Sequence, residues 1–146
     1  MNKFTKGFLF LLFIAVSITG CKLDPPIYPE GAGSGTVTYT INGTTTTKHN
    51  VSFVMTAASG TTTPASIYMG NDTDFGLAFD GSSKGTFDIG ILVIGDALGT
   101  GTVTVTTYDL TDSTHGTLKG TFTADLYDST TNTTTSNVTG TFDIQQ

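Results

Sequence analysis

Few side chains in this chain could do chemistry, and their types and spacing narrow that chemistry further. The 146 residues contain one cysteine, Cys21, two histidines, His49 and His115, one glutamate, Glu30, and no arginine. Common hydrolytic sites need a base beside a nucleophile, or two carboxylates whose environments separate their pKa values. His49 follows a threonine run and His115 falls in a predicted loop, so both read as solvated surface imidazoles. There is no His-Glu-x-x-His, no Gly-x-Ser-x-Gly and no glycine-rich phosphate loop. No enzyme is expected, no catalytic residue stands out and no cofactor is implied. Hard oxygen donors suit calcium, and Asn71, Asp72 and Asp74 form one candidate cluster, with Asp109, Asp112 and Ser113 a second. Neither has the spacing of a defined calcium loop, and Asp and Asn are equally good turn residues, the reading preferred here. Sugar binding by a β-domain uses aromatic platforms. Tryptophan is absent, leaving Tyr68, Tyr108 and Tyr127. Tyr108 and Tyr127 fall on the polar side of their strands, are expected to be exposed, and are the candidate ligand-binding residues.

Cys21 stands apart because of what precedes it. Residues 1–6 carry two lysines, residues 7–18 are mostly apolar, and Thr19-Gly20 are small, the layout of a secretory signal peptide. The apolar run is too short to cross a bilayer, which takes about 20 residues of helix. Ile18-Thr19-Gly20-Cys21 resembles a lipobox, so residues 1–20 are expected to be a lipoprotein signal and Cys21 the acylated site. A single acyl chain binds membranes marginally and two or more hold firmly. Residues 21–35 are then the lipidated cysteine and a Pro- and Gly-rich tether, and residues 36–146 the folded domain. The cell outer membrane is the expected location, with its surface and periplasmic faces both open.

Charge excludes one class of partner. The net charge is −6, and loss of residues 1–20 removes Lys3 and Lys6, making it more negative. Phosphate backbones need clustered Lys or Arg, so nucleic acid is not an expected partner. A protein or a glycan remains open.

The elements that must carry these residues are strands. Roughly a fifth of the chain is threonine, a β-branched residue suited to pleated surfaces, and no window of helical period follows the signal. Period-two alternation points Val37, Tyr39 and Ile41 inward, then Val51, Phe53 and Met55, then Phe75, Leu77 and Phe79, then Phe87, Ile89, Ile91 and Val93. The stretch at 89–94 is apolar on both faces and reads as a central strand. Val103 and Val105, then Leu118, Phe122, Ala124 and Leu126, and finally Val138, Phe142 and Ile144 continue the pattern. Turn signals at Asn42-Gly43, 59–64, 71–74, 81–85, 96–101, 112–116 and 130–137 separate about eight strands. Short strands so spaced predict an all-β fold, an antiparallel β-sandwich or barrel. Thr-x-Thr recurs, but without the strict repeat that a flat hydroxyl array of the ice-binding kind demands.

Gly-Thr-Phe occurs at 85–87, 120–122 and 140–142, and each copy reads as a strand start, with Gly leaving a turn and Phe entering the core. The stretches GTVTVTTYD, LKGTFTADLYD and VTGTFDI, taken with the lipobox, resemble the closing strands of small uncharacterised β-rich lipoproteins of the Bacteroidota type. The resemblance implies a membrane-anchored all-β domain and transfers no functional residue except Cys21. The expected role is a non-enzymatic structural or binding one in the envelope. The alternative is a glycan-binding accessory lipoprotein of a polysaccharide-uptake system.

Overall fold

The computed structural model describes residues 35–146, apart from Thr62, Asp72 and the side chain of Ser136. The expected signal peptide, Cys21 and almost all of the tether lie outside the described residues. Eight strands follow in order: β1 (Gly35–Ile41), β2 (Thr44–Thr56), β3 (Ser66–Gly70), β4 (Phe75–Asp80), β5 (Gly85–Ile94), β6 (Ala97–Leu110), β7 (Gly116–Asp128) and β8 (Thr133–Gln145). Each pairs antiparallel with the next, and β1 pairs with β8, so the sheet closes into an up-and-down barrel. Between sandwich and barrel, the structure is a barrel. The described residues contain no helix, and none that is long and apolar enough to cross a membrane.

Local chemistry explains the tight turns. Asn42 and Gly43 both take positive φ, 50° and 80°, the type I′ geometry that matches the twist of the flanking strands. Gly95 at φ 59° precedes Asp96, as the first central position of a type II′ turn requires. The second of these lies earlier than the turn signal at 96–101. Ala97 to Gly101 already belong to β6, where Gly99 faces inward because a Cβ there would press on Leu92 and Leu126 at 2.7 and 2.8 Å. Likewise residues 133–137, read as turn, belong to β8.

Alternation places Val37, Val51, Phe53, Phe75, Leu77, Phe79, Val103, Val105, Leu118, Phe122, Val138 and Ile144 in one buried core, as expected. The register shifts at several points along the ladder, and the bulges in β5 and β6 change which apolar side chains face inward. In β5, Ala78 pairs with Ile91 and Phe79 with Ile89, so Gly90 has no partner on β4. The extra residue reverses the faces: Leu92 and Ile94 point inward, whereas Ile91 is 54% exposed. The apolar character of both faces of β5 therefore comes from a bulge, and a closed barrel has no central strand. In β6, Val105 pairs with Gly120 and Thr107 with Lys119. Thr106 is the bulged residue, and beyond it Tyr108 and Leu110 turn toward the core.

The Gly-Thr-Phe copies have a different cause from the one expected. Gly120 pairs with Phe142 and Gly140 with Phe122. A Cβ at either glycine would collide with the phenyl ring of its partner. These glycines sit in mid-strand as reciprocal sockets for phenylalanine, while Gly85 alone begins a strand.

Outside, the threonines align. Cross-strand register joins Thr86, Thr104, Thr121, Thr141, Thr38 and Thr47 in one row, and Thr102, Thr123, Thr139, Thr40 and Thr45 in the next. Hydroxyls bond across the strands at Thr38 and Thr47 (3.0 Å), Thr40 and Thr45 (2.9 Å), and Thr86 and Thr104 (2.9 Å). Such pairs stabilise a solvated sheet face. An apolar interior with a polar wall is the reverse of a membrane-spanning barrel, whose outward band is apolar.

The meander gives the barrel two unlike ends. Asn42-Gly43, 71–74, Gly95-Asp96 and 129–132 make the turn end. The 57–65, 81–84 and 111–115 connections make the loop end, where the chain also enters β1. There β1 is too short to flank all of β2, and the Gln146 amide fills in. Its Oε1 accepts from the Phe53 N–H at 2.9 Å and its Nε2 donates to the Phe53 carbonyl at 3.1 Å and to the Thr114 carbonyl. The Ser113 carbonyl accepts from the Met55 N–H at 2.7 Å beside it.

Candidate functional site

A hollow of about 240 Å³ on the wall is bordered by Ser52 and Val54 of β2, Tyr68 of β3, Val93 of β5 and two turns of the turn end, through Asn71, Thr73, Asp74 and Gly95. Its floor is the cross-strand pair Gly70 and Gly76. Two adjacent strands that both lack a side chain leave a depression, and Tyr68 lies across it. A Cβ on Gly70 would be 2.8 Å from the Tyr68 hydroxyl oxygen, and one on Gly76 would be 3.0 Å from it. The ring is thus laid along the sheet over both glycines, with 38% of the residue accessible. Covering glycine with an aromatic side chain is a known way to stabilise a strand. Here it also sets a flat ring beside polar groups.

Those polar groups are held by the turn itself. Asn71 Oδ1 accepts from the backbone N–H groups of Asp74 at 3.1 Å and Phe75 at 2.9 Å, an Asx-type turn. The Asp74 carboxylate accepts from Lys48, from Asn71 Nδ2 at 3.2 Å and from the Thr73 hydroxyl at 3.0 Å. Lys48 reaches it from the part of β2 that extends beyond β3, which pairs only with Ser52 to Thr56. The Lys48 ammonium beside Asp74 holds its carboxyl below the usual range, with Asn71 adding to the effect, and Asp74 in turn raises Lys48.

The proposed calcium ligands therefore have other work. Asn71 and Asp74 are brought together, Asp72 lies outside the described residues, and the charge a cation would supply to Asp74 comes from Lys48. In the second cluster, Asp112 accepts from the backbone N–H of Thr114 at 2.7 Å and of His115 at 2.9 Å, and from His115 Nδ1 at 2.8 Å. These bonds, the Thr114 N–H first, lower its pKa from 3.8 to about 2. Among the described residues, no three His, Cys, Asp or Glu side chains converge as a metal site requires.

Asp112, His115 and Thr114 resemble a catalytic triad by type alone. Carboxylate and hydroxyl both contact Nδ1 of His115, whereas a relay would use one ring nitrogen for each. His115 is exposed, as is His49. The arrangement is a loop closure.

Of the two candidate tyrosines, Tyr127 is exposed, at 45%, and its hydroxyl donates to Asn132 Oδ1 at 2.9 Å. Tyr108 is half-buried, contrary to expectation, because the bulge at Thr106 turns it inward. Its hydroxyl meets Met55 Sδ at 3.2 Å and burial raises its pKa. Tyr108 pairs with Leu118 and Tyr127 with Leu98, so the two occupy opposite ends of the β6–β7 ladder and share no platform. Tyr68 is the tyrosine with a site around it, and the signal in the sequence was the pair of glycines at 70 and 76.

The accessible apolar side chains gather near the turn end. Tyr68, Ile91, Leu98 and Tyr127 each lie within a few residues of one of its turns, and Val93, Leu98 and Tyr127 are register neighbours. The threonine rows cross six and five adjacent strands of the eight-stranded barrel, more than half of its circumference, so those rows present a curved surface and no single plane.

The fold and this hollow define a small, closed, up-and-down β-barrel with a packed lumen and a sculpted outer wall. No family model matches the chain, and neither a curated protein nor a solved structure matches it.

Proposed function

We propose that the protein is a lipid-anchored, non-enzymatic binding module of the bacterial envelope, held at the outer membrane through acylated Cys21. The observation that carries the reading is the division of the barrel wall. Its lumen is filled by the core, so a ligand must be met outside, and the accessible apolar side chains and the hollow gather at the turn end. β1 begins at the loop end, so the turn end lies at the opposite end of the barrel from the point where the chain following Cys21 enters it. A role that is purely structural would not need that concentration of exposed apolar residues, which usually marks an interaction surface.

The alternative, a glycan-binding accessory of a polysaccharide-uptake system, is favoured by Tyr68, a ring backed by the sheet and rimmed by polar groups. Two measurements test the anchored reading. Radiolabelled fatty acid should enter the wild-type protein and not Cys21→Ala, and protease added to intact cells should remove a C-terminal epitope if the barrel faces outward. Labelling that persists in Cys21→Ala refutes the anchor. Protection until lysis moves the module to the periplasmic side.

A further inference from the structure

We propose that the hollow over Gly70 and Gly76 is a subsite for one pyranose ring of a neutral glycan, stacked on Tyr68; the proposal rests on the binding reading above and names its ligand. A pyranose is amphipathic in a particular way. One face presents C–H groups and the rim presents hydroxyls, so its receptor combines a flat aromatic ring with hydrogen-bonding groups at the edge. The hollow has both. Tyr68 supplies the ring, held against the sheet by the space the two glycines leave, so little side-chain freedom is lost on binding. Val54 and Val93 extend the apolar wall, and Ser52, Asn71, Thr73 and Asp74 supply the polar edge.

Size and charge narrow the ligand. At about 240 Å³ the hollow is smaller than the roughly 300–1,000 Å³ that encloses a drug-sized molecule. One ring of a chain fits that scale, with the rest of the chain running over the open wall. The Asp74 carboxylate is neutralised by Lys48, and the Lys48 ammonium is occupied by the same contact. Among the described residues of the rim, this pairing leaves no free cation for a phosphate, sulfate or uronate. A convex wall with a single platform binds weakly, with Kd on the order of 1 mM, about −4 kcal/mol. Attachment of many copies to one membrane facing a repeating polymer raises the effective affinity.

The test is a titration of the full chain in detergent with a panel of neutral hexasaccharides (cello-, xylo-, manno- and chito-oligosaccharides), followed by amide NMR. At least one sugar should shift the amides of Thr73, Gly76 and Val93 while leaving those of the loop end unmoved. Tyr68→Leu, which keeps an apolar cover on the glycines and removes the aromatic face, should weaken that sugar at least tenfold. Tyr68→Phe should stay within about threefold of wild type. Val93→Gln, which narrows the hollow from the β5 side, should also weaken it. The proposal is overturned if no sugar in the panel shifts these amides at millimolar concentration, or if Tyr68→Leu binds as well as wild type. It is equally overturned if charged sugars bind more tightly than neutral ones. Lipidation and cell-surface exposure are measured separately, so failure here leaves the anchored-module reading to its own tests.

Discussion

Alanine at Gly140 would ordinarily help a strand, since glycine there costs about 0.5–1 kcal/mol in backbone freedom. In this barrel it should do the reverse. The new methyl would overlap Cε1 and Cζ of Phe122 and lie 3.0 Å from the Thr38 carbonyl oxygen. The ring would have to retreat by more than about 1 Å to restore ordinary carbon contacts. Phe122 has no room to do so: it is 2% exposed and packs on Phe75 at a centroid distance of 6.2 Å. Overpacking of this kind costs about 1–3 kcal/mol, and the expected loss is about 2 kcal/mol. With about 2.1 cal/mol/K of unfolding entropy per residue over a domain of this size, that lowers Tm by about 8 °C. Phe122→Leu, which shortens the opposing ring, supplies the second arm of a double-mutant cycle. The double variant should be more stable than the sum of the singles predicts by at least about 1 kcal/mol. Thermal and urea unfolding followed by far-UV circular dichroism measure Tm and unfolding free energy for all four proteins. A Gly140→Ala protein with unchanged or raised Tm, or a cycle additive within about 0.3 kcal/mol, would refute the reciprocal Gly–Phe packing.

Three further perturbations follow from the same contacts. Gln146→Ala strips partners from the Phe53 N–H and carbonyl, at about 1–3 kcal/mol, and should speed hydrogen exchange of the Phe53 amide relative to Val37; equal exchange in both proteins contradicts the clasp. Asp112 titrates near 2 when folded against 3.8 ordinarily. The unfolded chain therefore binds the extra proton first, so this stabilisation is complete above the ordinary value and is lost as pH falls from about 4 to about 2. Asp112→Asn should flatten that part of the stability profile, and a profile of unchanged slope in the variant counts against the loop bonds. Lys48→Met should let the Asp74 carboxyl pKa rise toward its ordinary value, as read by carboxyl-carbon NMR; an unmoved titration would assign the shift to Asn71 and Thr73 alone.

The strands could be read from the chain because alternation is a local property. Val37 and Tyr39, Val51 and Phe53, Phe75 through Phe79, and Leu118 through Leu126 announce both strand and facing without reference to any neighbour. Asn42-Gly43 announces its turn for the same reason. Misplacements cluster where one strand negotiates with the next. A bulge is a mismatch in count between partners, so the exposure of Ile91 and the inward swing of Tyr108 depend on strands elsewhere in the chain. Glycine misled in the same manner: at 99, 120 and 140 it looks like a turn residue, and each is there for a side chain on another strand. The candidate site shows the same division. Asn71 and Asp74 were visible as a cluster, but Lys48, which takes up the charge of Asp74, is 26 residues away.

Composition and pattern alone thus established an all-β domain of about eight antiparallel strands, its inward face and most of its core. They also pointed to an anchored N-terminus, to be tested at Cys21. Closure of the barrel, the alignment of threonines into rows and the hollow lined by Tyr68 came only with tertiary structure. The physical reason is that side-chain facing has a period of two and is written into each strand, whereas register is a relation between strands. It is settled by bulges, turn lengths and the fit of a phenylalanine on one strand into the space left by a glycine on the next.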